Sequence, residues 1–260
     1  MTVLVTGATG HTGRHVVSGL LAGGARVRVL VRDPVKAPEG VDVVQGDITD
    51  LAEAAQGVDA VYLLWPFFDA EGIEAAVEPL KGKKIVYLSA MSAEQGGVWG
   101  QVEKAVERVT DDWTFLRVTG LATNTLGWTD QVKNGVVRGP YGQAKRSLVH
   151  ERDVADMALK ALTADHAKQT YLVTGPEAVT QAEQVRLIGD ALGTSAEWEE
   201  QPIAEAKTQL SQQMGEEFAA GALAYWASLI EEPEPVSLDV AQVTGHPARP
   251  FEEWAAEHFS

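Results

Sequence analysis

Residues 2–34 read TVLVTGATGHTGRHVVSGLLAGGARVRVLVRDP, and the fold follows from how this stretch is punctuated. Residues 2–6 are a short apolar, β-branched run and are read as a strand. Gly7 can take the positive φ that turns a chain directly from strand into helix. Gly10 leaves the backbone bare where a ligand must approach, and Gly13 lets a helix starting near Thr12 pack closely on the sheet. Val16, Val17, Leu20 and Leu21 form the apolar face of that helix, and Arg26–Val31 is a second strand. Amides at the start of such a helix are ready donors for an anion. Strand, glycine turn, helix and strand in this order make a common glycine spacing a dinucleotide fingerprint, with Thr9, His11 and Thr12 lying among the glycines near the phosphates.

The end of the second strand of such a unit ordinarily carries an acid that accepts from the adenosine ribose. Here it carries Arg32. A guanidinium pairs with a 2′-phosphate in bidentate fashion, so NADP(H) is favoured over NAD(H), with Lys36 adding a second charge. Against this, Arg32 and Lys36 could be two solvated cations, and Asp33 could serve a ribose.

The chain has 260 residues, enough for one α/β domain with a small appended lobe. It has no cysteine, which excludes disulfides, thiolate metal sites and a cysteine nucleophile, and no metal site is expected. The first strand begins at residue 2 and the longest apolar run, VYLLWPFF, is short, so neither a signal peptide nor a membrane span is expected and a cytoplasmic location is the simplest reading. A net charge of −16, concentrated after Glu197, argues against nucleic acid or anionic lipid as partner. A small molecule, aromatic or apolar, is the expected partner of a monomer or homodimer.

Strand and helix signals alternate through the first half. Strands are read at Val41–Gln45, from Val58, from Lys84 and from Trp113, with helices near Leu51–Gln56, Glu71–Leu80 and Val98–Val109. This is a Rossmann-type doubly wound parallel sheet of order 3-2-1-4-5-6, with the ligand at the carboxyl ends of its strands. Residues 1–150 are expected to form the NADP-binding domain, and 151–260 a mostly helical substrate lobe integrated with it. In that second part LVHERDVADMALKALT is read as a short extended piece entering a helix, YLVTGP as a strand, and TQAEQVRLIGDALG as a helix with Thr180 as its N-cap. Residues 202–231 read as two further helices, and PEPVSLD as a linker.

Strand ends carry the remaining candidates. Asp47 and Ile48 follow the third strand, where a carboxylate can accept from adenine and an isoleucine can pack on it; Asp47 could equally cap a helix at 49–56. Leu64, Trp65 and Pro66 end the fourth strand beside the cofactor, and Trp65, Phe67 and Phe68 suggest a wall for a flat substrate. The alternative is that Phe67 and Phe68 pack under the C-terminal lobe. Ser89, Ala90 and Met91 end the fifth strand, with Ser92 after them.

At this point the chain resembles the short-chain dehydrogenase/reductase superfamily, and more closely its atypical, NmrA-like branch. TGATGHTG, GDITD, YLSAMSA, WTFLRVTGL, HERDVA, YLVTGPEAVT and TGHPARPFEEWA carry the resemblance in order along almost the whole chain. One departure touches the chemistry. Where typical members carry Tyr-x-x-x-Lys as the general acid and its partner, this chain has Trp99-Gly-Gln-Val-Glu103. An indole cannot deliver a proton and a carboxylate cannot stand in for the lysine. Such replacements are usual in the NmrA-like branch. Ser89 or Ser92 could bond a substrate oxygen, Glu103 could accept from a ribose hydroxyl, and His150 could donate a proton or simply bond to backbone. Met91 and Trp99 could line the substrate site. Arg117 is read as architectural, with Thr119 beside the nicotinamide, and Asp153 as opening or fixing its helix. The resemblance implies an NADPH-dependent oxidoreductase transferring hydride directly to an aromatic, quinonoid or conjugated carbonyl compound. The alternatives are a non-catalytic NADP(H) sensor acting through a protein partner, and a cofactor supporting net non-redox chemistry.

Overall fold

The β-branched run at the start of the chain forms β1 (Thr2–Thr6), in which Val3, Leu4 and Val5 are fully enclosed because neighbours flank it on both sides. The computed structural model describes residues 1–259. After β1 come α1 (Gly13–Ala22), β2 (Arg26–Val31), β3 (Asp42–Gln45), β4 (Ala60–Leu63), α2 (Ile73–Val77), β5 (Lys84–Ala90), α3 (Gly97–Val109) and β6 (Trp113–Val118). Then follow α4 (Thr129–Lys133), β7 (Val136–Gly139), β8 (Lys145–Arg146), α5 (Glu151–Thr163), β9 (Gln169–Val173), β10 (Val179–Thr180), α6 (Gln181–Leu192) and β11 (Glu197–Glu200). α7 (Ile203–Met214), α8 (Glu216–Ser228), α9 (Asp239–Thr244) and α10 (Phe251–Phe259) complete the chain. These elements group into two compact units. Met1–Val118, Glu151–Val173 and Asp239–His246 make the first; Thr119–His150, Thr174–Leu238 and the segment from Pro247 make the second.

The first unit holds a seven-stranded parallel sheet of order β3-β2-β1-β4-β5-β6-β9. The six strands expected from the sequence lie in the expected order. The helix and strand read from LVHERDVADMALKALT and YLVTGP, placed by sequence among the elements of a C-terminal lobe, belong instead with the sheet: α5 is a crossover helix, and β9 pairs parallel to β6 from Thr114↔Gln169 to Val118↔Val173. The order reverses between β1 and β4, where an open α/β sheet binds its ligand at the carboxyl ends. Leu4, Val61, Leu63, Tyr87, Val102, Val106 and Phe115 fill the core on one face.

Two local expectations are corrected. Residues 51–57 form a run of turns, not a helix. Arg28 of β2 donates to the carbonyls of Ala54 at 3.2 Å and Gln56 at 2.5 Å, satisfying acceptors that a helix would otherwise have to satisfy itself. The helix expected over 71–80 is split into α2 and a 3₁₀ turn at Glu78–Leu80, because Pro79 has no N–H to continue an α-helical ladder.

In the second unit β7 pairs parallel with β11 and β8 antiparallel with β10. Val132, Leu148, Val185, Ile188, Phe251 and Trp254 form its core. Thr180 caps α6, its Oγ1 accepting from the Glu183 amide at 3.1 Å. The two helices expected within 202–231 are α7 and α8. Among the described residues no helix is long and apolar enough to cross a membrane.

Candidate functional site

The glycine turn sits between β1 and α1, at the point where the strand order reverses. Gly7 has φ +66°. Its carbonyl accepts from the Gly10 amide at 2.9 Å, and Thr12 O accepts from His15 and Val16, each at 3.1 Å. A Cβ on Gly13 would stand 2.1 Å from Gly7 O, so no other residue fits there without moving the turn. Among the described residues the amides of His11, Thr12 and Gly13 find no carbonyl partner, while Thr9, Gly10 and His11 are exposed. Bare backbone with unpartnered donors at a helix start is the chemistry that a pyrophosphate needs. The turn is held from below. Thr6 Oγ1 accepts from the Leu64 amide at 2.8 Å, just beyond the last β1–β4 register pair, Val5↔Tyr62. The Tyr62 hydroxyl donates to Thr12 Oγ1 at 3.2 Å.

At the end of β2, Arg32 is exposed and has no ion-pair partner among the described residues. Asp33 is committed to its own loop: Oδ1 accepts from the Val35 amide at 3.2 Å, and Lys36 Nζ lies 3.9 Å from Oδ2. After β3, Asp47 Oδ1 accepts from both the amide and the hydroxyl of Thr49, each at 3.2 Å. It therefore shapes a turn, and the helix it was offered as capping is absent. Ile48 packs into the core.

Leu64 is half-buried, and its side chain lies against Gly7. Trp65 is enclosed, 4% exposed, its Nε1 donating to Asp69 O at 2.7 Å and its ring edge-on to Phe67 at 5.0 Å. Pro66 is exposed, and Phe67 and Phe68 are exposed at 37% and 53%. At the end of β5, Ala90 and Met91 are half-buried and Ser92 is exposed; Trp99 packs half-buried against the core.

Ser89 and Glu103 are brought together, and with a third residue. Ser89 Oγ donates to Glu103 Oε1 at 2.6 Å, and Arg117 donates through Nε to Oε1 at 3.0 Å and through Nη2 to Oε2 at 2.7 Å. Arg117 Nη1 reaches Glu94 at 2.9 Å. Glu103 is 5% exposed, so this is a buried, bidentate ion pair at the position where the superfamily has its lysine. The hydrogen bonds that Arg117 donates to Glu103 raise the Arg117 pKa above its usual value. Nearby, Tyr87 is fully enclosed with its hydroxyl unpartnered; burial first, and then the charge of Glu103, hold its pKa well above the phenol range. Sequence reasoning named Ser89, Glu103 and Arg117 separately and missed their union.

In the second unit His150 is buried, with Nε2 3.3 Å from Glu257 Oε2, and Thr119 Oγ1 donates to Ser147 O at 2.8 Å. A buried carboxylate the sequence did not flag, Glu234, accepts from Arg146 Nε at 2.6 Å, the Tyr225 hydroxyl at 2.7 Å and the Ser147 amide at 2.7 Å. In the first unit α5 begins at Glu151, so Asp153 lies inside the first turn rather than capping it, and is fully enclosed.

Residues 7–165 match the family described as NAD(P)H-binding. The chain is 37% identical over 280 residues to a (4-alkanoyl-5-oxo-2,5-dihydrofuran-3-yl)methyl phosphate reductase of Streptomyces griseus, covering 98% of this chain and 97% of that protein. It is 30% identical over 285 residues to an NAD(P)H azoreductase of Xenophilus azovorans, covering 98% and 97%. Its fold is that of an NADPH-dependent quinone oxidoreductase of Escherichia coli in complex with NADPH, with TM-score 0.81 and 22% identity over 99% of this chain and 100% of that one. These matches bear out the resemblance read from the motifs.

Proposed function

We propose that this chain, which belongs to the NAD(P)H-binding family, is an NADPH-dependent reductase of small, electron-poor conjugated acceptors: quinonoid or other aromatic compounds, or conjugated carbonyls. The observation that carries the reading is the Ser89–Glu103–Arg117 group. Glu103 is neutralised by Arg117, and the Ser89 proton already faces a carboxylate. The place of the lysine that assists the usual proton donor is thus taken by groups satisfied among themselves, and the donor's own place by Trp99, whose indole has no acid to offer. Losing a positioned acid typically lowers a rate about 10²- to 10⁴-fold for a substrate that must be protonated as it is reduced. An acceptor that spreads the incoming charge over a conjugated system needs that help least.

The relatives support the same class. The named substrate of the Streptomyces reductase is an unsaturated ring lactone bearing an alkanoyl group on its double bond and a methyl phosphate, and the Xenophilus enzyme is named for azo compounds. The residues that would hold the nucleotide are the glycine turn from Gly7 to Gly13, with unpartnered amides for pyrophosphate, and Arg32 with Lys36 for a 2′-phosphate. When bound, the reduced nicotinamide supplies the hydride. Leu64, lying on Gly7, and the half-buried Ala90 and Met91 shape the strand ends beside it, while exposed Phe67 and Phe68 offer apolar surface to a flat acceptor. Positioning supplies most of the rate.

The test is NADPH consumption by the purified protein with a panel of quinones, conjugated enones and azo dyes. Steady turnover with members of the panel is expected. NADPH binding without turnover on any of them would overturn the reading in favour of a nucleotide-sensing protein.

A further inference from the structure

Two tyrosines are fully enclosed on adjacent strands of the sheet, Tyr62 on β4 and Tyr87 on β5, and their hydroxyls are treated differently. Among the described residues the Tyr87 hydroxyl finds no hydrogen-bond partner. The Tyr62 hydroxyl reaches up to the glycine turn and donates to Thr12 Oγ1 at 3.2 Å. The Tyr62 contact is a strut between sheet and turn.

Thr12 immediately precedes α1, the position where a hydroxyl ordinarily accepts an amide of the first helical turn. It makes no such cap. Its oxygen accepts from Tyr62 instead, which leaves its own O–H as a donor on the same residue whose amide is unpartnered. The base of the strut is rigid: Tyr62 is in the last register pair of the β1–β4 ladder, and Thr6 Oγ1 ties the next step by accepting from the Leu64 amide at 2.8 Å.

We propose that Tyr62 is a positioning residue for nucleotide binding: through Thr12 it fixes the height and donor direction of the turn that faces the pyrophosphate. The proposal rests on the reading of the glycine turn as a phosphate site. Because pyrophosphate is common to both nucleotides, Tyr62 acts on NADPH and NADH alike, unlike a residue that reads the 2′-phosphate.

The experiment measures Kd for NADPH and for NADH by fluorescence, with thermal midpoints, for the unaltered protein and for Tyr62→Phe, Tyr87→Phe, Thr12→Val, Thr12→Ser and the Tyr62→Phe/Thr12→Val double variant. Tyr62→Phe is expected to weaken both nucleotides by the same factor, about two- to tenfold for one lost hydrogen bond. Tyr87→Phe leaves both constants unchanged, Thr12→Ser binds as the unaltered protein does, and adding Tyr62→Phe to Thr12→Val brings no further loss. Unchanged affinities in Tyr62→Phe, or losses that add independently in the double variant, overturn the proposal even if the thermal midpoint falls. If Tyr62→Phe does not fold, equal binding by Thr12→Val and Thr12→Ser overturns it. Failure of the unaltered protein to bind either nucleotide overturns the phosphate-site reading itself, and that outcome is read before any variant is made.

Discussion

Replacing Arg32 isolates the choice of nucleotide from the rest of the site. Arg32 ends β2, is exposed and has no ion-pair partner among the described residues, so its removal breaks no internal contact of the guanidinium. The competing acid, Asp33, is held by the Val35 amide at 3.2 Å with Lys36 3.9 Å away. A hydrogen bond to a charged group is worth about 1.5–3 kcal/mol, or roughly 10- to 150-fold in Kd. Exposure and salt screening put Arg32→Ala at the lower end, about tenfold. Arg32→Asp adds repulsion from the dianionic 2′-phosphate and reaches roughly a hundredfold, while a carboxylate there can accept from the ribose of NADH. Titration of both variants with NADPH and NADH at low and moderate salt checks this: the NADPH loss should shrink as salt rises, and NADH affinity should hold or improve. An NADPH constant that Arg32→Asp leaves unchanged would refute the assignment.

Glu103→Gln should leave Arg117 half-buried without its bidentate partner and destabilise the protein by about 3–5 kcal/mol, a drop of roughly 10 °C in thermal midpoint. Glu94→Gln, which removes only the exposed partner of the same arginine, should cost less than about 1 kcal/mol, and calorimetry of the two variants side by side distinguishes a buried pair from a surface one. Gly13→Ala places a methyl 2.1 Å from the Gly7 carbonyl oxygen, so it should destabilise by about 1–3 kcal/mol and abolish nucleotide binding, measured by unfolding and by titration.

The sheet was legible because its strands are short apolar runs separated by amphipathic helices, and a parallel sheet covered on both faces needs that alternation. The glycine turn was legible because its backbone shape leaves a mark in composition: only glycine tolerates the approach of Gly7 O to residue 13. What escaped is non-local. LAEAAQG at 51–57 has helix-forming composition, yet a segment so short cannot meet the cost of nucleation alone, and Arg28 from another strand takes its carbonyls. The Ser89–Glu103–Arg117 group joins residues 14 apart on β5, α3 and β6. One signal was available: an acid on the inner face of a helix and an arginine ending a buried strand are each costly alone and compatible only as a pair. Glu234 gave less warning, since it lies in an acidic stretch and its partners Arg146 and Ser147 are 88 and 87 residues away.

In the function proposed above, the site reduces acceptors that need no protein acid. The most direct measurement is kcat/KM with NADPH for a conjugated enone and for the saturated ketone of the same skeleton. Turnover of the enone with little or none of the ketone is the predicted result. Equal or faster reduction of the saturated ketone would contradict it, because that reaction requires the proton donor that Trp99 and Glu103 have displaced.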